Sequence, residues 1–245
     1  MNVLRVVDIV RRMEQGLTRP FLVRTEDEAL YVAKGRATTQ RGQCAEWLCA
    51  HLGQALGLPM PSFSLLDVSQ ALVSAFGPDA EDLGAGIVFG SLLQQPVQDL
   101  VLPQVVGVDA ELRRRVLAFD WWVENADRSL TERGGNPNLL WCAAEPRLLV
   151  IDHNLAFDAA FDVTRFFETH VFRFDADALF GDWVNRADMQ QRLCAALPAF
   201  DTACASFPES WKWIDSERTL PLGIDWYAYR TRLAQRLELT RGGPP

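Results

Sequence analysis

The chain has 245 residues, 49% hydrophobic and 23% charged, which suits one large core or two modest lobes of an ordinary soluble protein. A net charge of −8 argues against a general phosphate-backbone binder, whose affinity rests on clustered Lys and Arg. No stretch approaches the roughly 18 apolar residues of a membrane span, and Met1–Met13 lacks the apolar run of a signal peptide.

The five cysteines are odd in number and carry no CxxC or Cys/His spacing suited to zinc. They read as reduced, mostly buried thiols of a cytoplasmic protein. Lys and Arg total 24, yet only Lys34 and Lys212 are lysine. A lysine in such a background marks a position that needs a compact ammonium, or else chance. Chance is the better account of Lys212, between Trp211 and Trp213. The surroundings of Lys34 favour a role.

Val3–Met13, with Val3, Val6, Val7 and Val10 at helical spacing, is predicted as a helix. Phe21–Arg24 and Ala29–Lys34 are predicted strands joined by the acidic turn Thr25–Glu28, so Lys34 ends a strand. The turn before them holds Gly16, Thr18 and Arg19; it either lies over phosphates or is a plain turn. Gly35–Gly42 reads as a polar loop. Ala45–Leu56 is a predicted helix with an apolar stripe at Trp47, Leu48, Leu52 and Leu56, stopped by Gly57-Leu58-Pro59. Glu46 falls in its first turn. There it either answers the helix dipole or reaches Lys34 and fixes it over nucleotide phosphates.

Ser62–Val68 is a predicted strand, Ser69–Phe76 a helix, and Ile87–Phe89 a buried strand. From there a strand-rich half gives way to a helix-rich half, with a hinge near Gly90–Gln95. Phe89, beside that hinge, is counted with the nucleotide-binding positions. Asp109–Ala126 is the clearest helix, capped by Asp109 and striped by Leu112, Val116, Phe119 and Val123. It is expected to deliver Asp127 at its end, where Glu124, Asp127 and Glu132 gather. Arg113–Arg115, on this helix, reads as a solvated face. His170, set among phenylalanines, reads as a packed residue. Asp175–Trp183, Arg186–Ala205 and Ile224–Leu239 are predicted helices, with Pro198 kinking or splitting the second. Ser206–Pro221 links the last two, and the tail Gly242–Pro245 is expected to fray.

The chemistry-bearing stretch lies between the clearest helix and this aromatic segment. Asn138–Cys142 and Leu148–Ile151 form a hairpin pattern. Asp127 precedes it, Asn138 opens it and Asp152 follows it. Acid, amide, acid around a short hairpin is the layout of protein-kinase-like phosphoryl transfer. One carboxylate takes the hydroxyl proton, while the amide and second carboxylate hold Mg²⁺ against nucleotide phosphates. A capping role for Asp152 alone is the plainer alternative.

Taken together, Pro20–Val23, Tyr31–Lys34, Ala45–Leu48, Leu56–Pro59, Asn125–Arg128, Asn136–Leu140 and Ile151–His153 resemble the HipA-like kinases. The Asp-Arg and Asp-His pieces are also similar to phosphoinositide-type lipid kinases. The resemblance covers roughly Gly16–Phe157. It implies an α+β, two-lobed protein-kinase-like fold in a single domain, with a small strand-rich N-lobe (about 1–90) and a larger helical C-lobe (about 95–245). It assigns Lys34 to the phosphates with Glu46 as partner, Asp127 as catalytic base, and Asn138 and Asp152 as Mg²⁺ ligands. ATP and Mg²⁺ follow as cofactors, and a serine or threonine of a protein as acceptor, in a toxin-like or regulatory setting. A pseudokinase that binds nucleotide or a partner without chemistry, and a lipid or small-molecule kinase, are the alternatives. Two departures stand out. Asp127 and Asn138 are eleven residues apart, about twice the usual spacing, so Thr131–Gly135 reads as an insertion and Asn136 competes for the amide role. Asn154 stands where the lipid-kinase pattern has glycine.

Overall fold

The computed structural model describes residues 3–14, 19–143, 145–215 and 217–239. Gly16, Thr18 and the tail fall outside these residues. The chain forms two compact units. Unit 1 comprises Met1–Trp47, Pro61–Gln94 and Ser206–Ile224, and unit 2 comprises Leu48–Met60, Gln95–Ala205 and Asp225–Pro245. The expected hinge region contains one of several points at which the chain passes between them.

Unit 1 is a closed barrel of β1 (Val3–Arg12), β2 (Phe21–Thr25), β3 (Leu30–Lys34), β4 (Phe63–Val68) and β5 (Gly86–Leu92), in the order β1-β2-β3-β5-β4. Neighbours are antiparallel except β1 and β4, whose parallel pairing closes the barrel. The predicted N-terminal helix is therefore a strand. Register shifts between Val6 and Asp8 and between Ile9 and Arg11 mark bulges against β2. Each bulge inserts a residue, so the inward residues Val6 and Ile9 fall three apart and imitate a helical period while Val7 and Val10 face solvent. Val6, Ile9, Phe21, Val23, Tyr31, Leu66, Val68 and Val88 fill the barrel, with Val73 of α2 (Gln70–Phe76) and Leu83 packed on them. Ser69 caps α2 by accepting from Leu72 N.

The stretch 206–221 is more than a link. It belongs to unit 1, where the buried Trp211 donates from Nε1 to Ile87 O at 2.8 Å. Helix α1 (Thr39–Ala55) starts within the expected polar loop, so Glu46 lies well past its first turn and does not answer the helix dipole.

In unit 2, α3 (Ala110–Trp122) starts at its Asp109 cap and ends four residues earlier than expected. Val123 caps its C-terminus, and Glu124 takes a left-handed φ of 55°. Asp127 thus sits in a loop beyond the helix. Arg113 grips Asp175 through Nε at 2.9 Å and Nη2 at 3.1 Å, and Arg115 donates to Gly57 O, so these side chains of the basic run are tethered rather than merely solvated. The predicted hairpin is β7 (Leu139–Cys142) with β8 (Arg147–Val150), and a short strand β6 (Gln98–Asp99) adds to β7. Helix α4 (Val163–Thr169) follows, unforeseen in the aromatic segment. The helix expected over 175–183 is a pair of short irregular turns. Asp182 breaks the run and caps α5 (Trp183–Ala196), accepting from Val184 N and Asn185 N. Pro198 opens α6 (Pro198–Ala205), and α7 (Trp226–Leu239) closes the unit. Trp122 Nε1 donates to Leu233 O at 2.9 Å and joins α3 to α7. No helix among the described residues is long and apolar enough to cross a membrane.

The exit of β3 depends on a close approach. Arg36 N donates to Leu83 O, and a Cβ on Gly35 would lie 2.0 Å from that oxygen. Gly35→Ala must push the backbone after Lys34 away from Leu83. Overpacking of this kind costs about 1–3 kcal/mol. The thermal midpoint of Gly35→Ala should fall by several degrees, and an unchanged midpoint contradicts the close approach.

Candidate active site

In unit 1, Lys34 is the last residue of β3, across the ladder from Phe89 of β5. Its ammonium pairs with Glu46 of α1, and both side chains are buried. Burying an ammonium has a high desolvation cost, which the Glu46 carboxylate offsets. Phe89 is buried and stacks on Phe63, with ring centroids 6.2 Å apart. Its N–H is given to Gln43 Oε1 at 3.1 Å. Arg19 is exposed, with a left-handed φ of 43°.

In unit 2 the site is built around a buried charge. Asp120 lies on α3 and Arg128 in the loop beyond it, and neither is exposed to solvent. Arg128 Nε donates to Asp120 Oδ2 at 2.6 Å. Nη1 donates to the carbonyls of Pro137, Asn138 and Ile151. Nη2 meets His153 Nε2 at 2.9 Å. A guanidinium only donates, so Nε2 of His153 accepts and its proton sits on Nδ1. Asn125 Nδ2 donates to Asp120 Oδ1 at 2.8 Å. His170 completes the set: Phe172 N donates to its Nδ1 at 3.1 Å, so its Nε2 carries the proton and donates to Asp120 Oδ2, also at 3.1 Å. Burial alone would raise the Asp120 carboxyl. The adjacent Arg128, with His170 and His153, reverses this and holds it well below the ordinary carboxylate range. Burial pushes His170 down, against the pull of Asp120.

This network fixes the loop that carries Asp127. Leu130 N donates to Thr169 O and Val171 N to Arg128 O, pinning the loop to the end of α4. Phe157 N donates to Val123 O at 2.7 Å. Asn138 and Ile151 flank the first pair of the β7–β8 ladder, Leu139 with Val150, and Ile151 N donates to Asn138 O. Asn138 and Asp152 therefore leave the same end of the hairpin.

Asn138 Nδ2 donates to Asp127 O at 2.9 Å and to Asp127 Oδ2 at 3.1 Å. Both partners are acceptors, so the amide can be oriented only with Oδ1 turned away from Asp127. That leaves Oδ1 able to accept from a cation, and the partly exposed Asp152 follows Ile151, whose N–H donates to Asn138 O. An amide oxygen and one carboxylate, completed by phosphate oxygens and water, is the set Mg²⁺ takes. Asn136 is exposed, and its Oδ1 accepts from Asn138 N in a local turn. The geometry thus favours Asn138 over Asn136. Asn138 and Asp152 both hold left-handed φ values, 49° and 61°, a strain that clusters at functional sites.

Sequence reasoning missed Asp120, His153 and His170 as members of the site and left Arg128 without a role. Asp120 carried a signal: it is a carboxylate inside the apolar run Phe119–Trp122, where burial demands a partner.

A strand-rich unit and a helical unit, with polar groups at strand ends, define a two-lobed protein-kinase-like fold. The chain belongs to the HipA-like kinase family, whose model matches residues 6–239. It is therefore grouped with phosphotransferases. The crystal structure of a Helicobacter pylori proinflammatory kinase, CtkA, is similar over 98% of this chain and 93% of that one, with a TM-score of 0.55 and 11% sequence identity. At that identity the likeness concerns the fold. No curated protein sequence matches the chain.

Two predictions follow from the buried network. Arg128→Met strands the Asp120 carboxylate, a loss of about 3–5 kcal/mol for a broken buried pair, so the variant should be largely unfolded by circular dichroism or melt far below wild type. His170 has a folded value below its ordinary 6.5, so below that pH the unfolded chain takes up a proton that the native state refuses. Asp120, held below its ordinary 3.8, adds stability that is complete above that value and is lost as pH falls through its depressed one. Both act in the same direction. The thermal midpoint should fall between pH 7 and 5, and less steeply in His170→Gln, whose amide keeps a donor toward Asp120.

Proposed function

We propose that the chain transfers the γ-phosphate of ATP, with Mg²⁺, to a serine or threonine hydroxyl of a protein. The observation that carries this reading is the Asn138 amide, whose nitrogen is taken up by Asp127 so that its oxygen is left to accept, with Asp152 leaving the same end of the hairpin. Membership of a kinase family supports it.

Each residue has a separate task. Asp127 receives the proton as the acceptor oxygen bonds to phosphorus and the bond to the ADP oxygen breaks. Its backbone carbonyl and carboxylate are both anchored by Asn138, so the base meets the hydroxyl in one orientation. Asn138 Oδ1 and Asp152 would hold Mg²⁺, which when bound neutralises charge growing on the phosphate oxygens. Lys34, held by Glu46, supplies a further positive charge to the phosphates. Thr18, Arg19 and Phe89 remain proposed neighbours of the nucleotide. We place the activity in the cytoplasm, away from membrane and nucleic acid, with a protein substrate or a toxin–antitoxin type of regulatory partner.

The roles separate by measurement. Asp127→Asn should keep the Mg-ATP-dependent thermal shift and lower transfer by about 10²–10⁴-fold, the range for losing a general base. Asp152→Asn should lose the magnesium-dependent part of that shift. If Asp152→Asn binds Mg-ATP as wild type does, the metal assignment is wrong.

A further inference from the structure

Glu132 is one of two acids, with Glu124, that the sequence gathers near Asp127. Glu124 is accounted for: it is buried against Arg232 and Arg236 of α7. Glu132 instead lines an open cleft of about 360 Å³ within unit 2, between the segment 99–102 and the turn 130–137. Leu100, Leu130 and Pro137 are buried and form its apolar floor, while Asp99 and Glu132 are exposed on its walls. No Lys, Arg or His is among the described residues that line it, and Arg133 on the same turn is not one of them.

The floor runs directly into the site. Pro137 is bonded to Asn138, and its carbonyl accepts from Arg128. Leu130 lies two residues after Arg128, in the segment pinned to α4. The turn lies within the eleven-residue spacing from Asp127 to Asn138, where Thr131–Gly135 reads as an insertion. Its shape is fixed: Thr131 and Gly134 exchange backbone hydrogen bonds, and Gly135, at φ +147°, brings the chain so close to Ser129 O that a Cβ would lie 2.3 Å away. The inserted residues therefore form a wall rather than a loose loop.

We propose that this cleft seats a lysine or arginine side chain of the acceptor polypeptide, close in sequence to the hydroxyl that receives the phosphate. The inference rests on the kinase reading above. A long basic side chain fits both parts of the cleft. Its aliphatic stem covers the Leu100–Leu130–Pro137 floor, and its charged head meets Asp99 and Glu132. The net charge of −8 adds a field that draws a basic segment in.

The test uses the full chain, Mg-ATP and a serine peptide library with basic, acidic or neutral residues fixed in turn at each flanking position. Wild type should favour Lys or Arg at one flank by about tenfold or more in kcat/KM. Asp99→Asn/Glu132→Gln should reduce that preference to about twofold or less, and Glu132→Lys should turn it toward Asp and Glu. The thermal midpoint of each variant is read alongside to establish that it folds. Rapid transfer with no flank preference, or a basic preference that the double variant retains, overturns the cleft assignment and leaves the kinase reading standing. Absence of transfer to every peptide overturns the cleft assignment together with the protein-acceptor reading.

Discussion

Everything in the helical unit's site depends on one buried ion pair, Asp120 with Arg128. Such a pair contributes little net stability, because desolvation offsets most of the attraction. Its value here lies in geometry. A guanidinium has five donors in a rigid plane, and a carboxylate on a packed helix fixes where that plane lies. The remaining donors then reach carbonyls on both sides of the hairpin, at Pro137 and Asn138 and at Ile151, and the ring of His153. A lysine would supply the charge without the fork. The pair thus ties together three segments far apart in sequence, and residues 127, 138 and 152, to which the chemistry is proposed to belong, are each on or next to a residue it holds.

That anchorage explains how the site tolerates unusual backbone. Glu124, Asn138, Asp152 and Phe157 all take left-handed φ, a conformation that costs on the order of 1–3 kcal/mol for residues with side chains. Three of them are held by contacts of their side chains or carbonyls. Glu124 is clamped by Arg232 and Arg236, Phe157 stacks on Tyr229 with centroids 5.4 Å apart, and Asn138 is held by Asp127 and Arg128. Helix α7 therefore contributes to the site through Glu124, though it is the last described element of the chain. On the proposed reading, a base and an amide fixed before substrate arrives need no reorganisation at the moment of transfer.

The legible part of this protein was the part that uses side-chain types with few other reasons to be where they are. Lys34, one of two lysines, ends a strand, and Asp152 follows an aliphatic run. Both positions announce themselves, as do the Asp109 cap and the break at Pro198. What holds the Asp127 loop to the hairpin was hidden. Three partners of Arg128 are main-chain carbonyls, which every residue possesses, so no pattern of letters points to them. The end of α3 was blurred because Val123, its C-cap, continues the apolar stripe. The first strand was misread because bulges shift Val6 and Ile9 into a three-residue period. The partnership of Glu46 with Lys34 was readable, yet its reason was not: the helix begins at Thr39, so its position there owes nothing to the dipole.

The most direct test of phosphoryl transfer by the Asp127 loop is phosphopeptide mass spectrometry of a cell lysate treated with ATP, Mg²⁺ and the purified chain, beside the Asp127→Asn variant. New phosphoserine or phosphothreonine sites that arise with the wild-type chain and vanish with the variant are the predicted result. Identical phosphopeptides from the two proteins would contradict it.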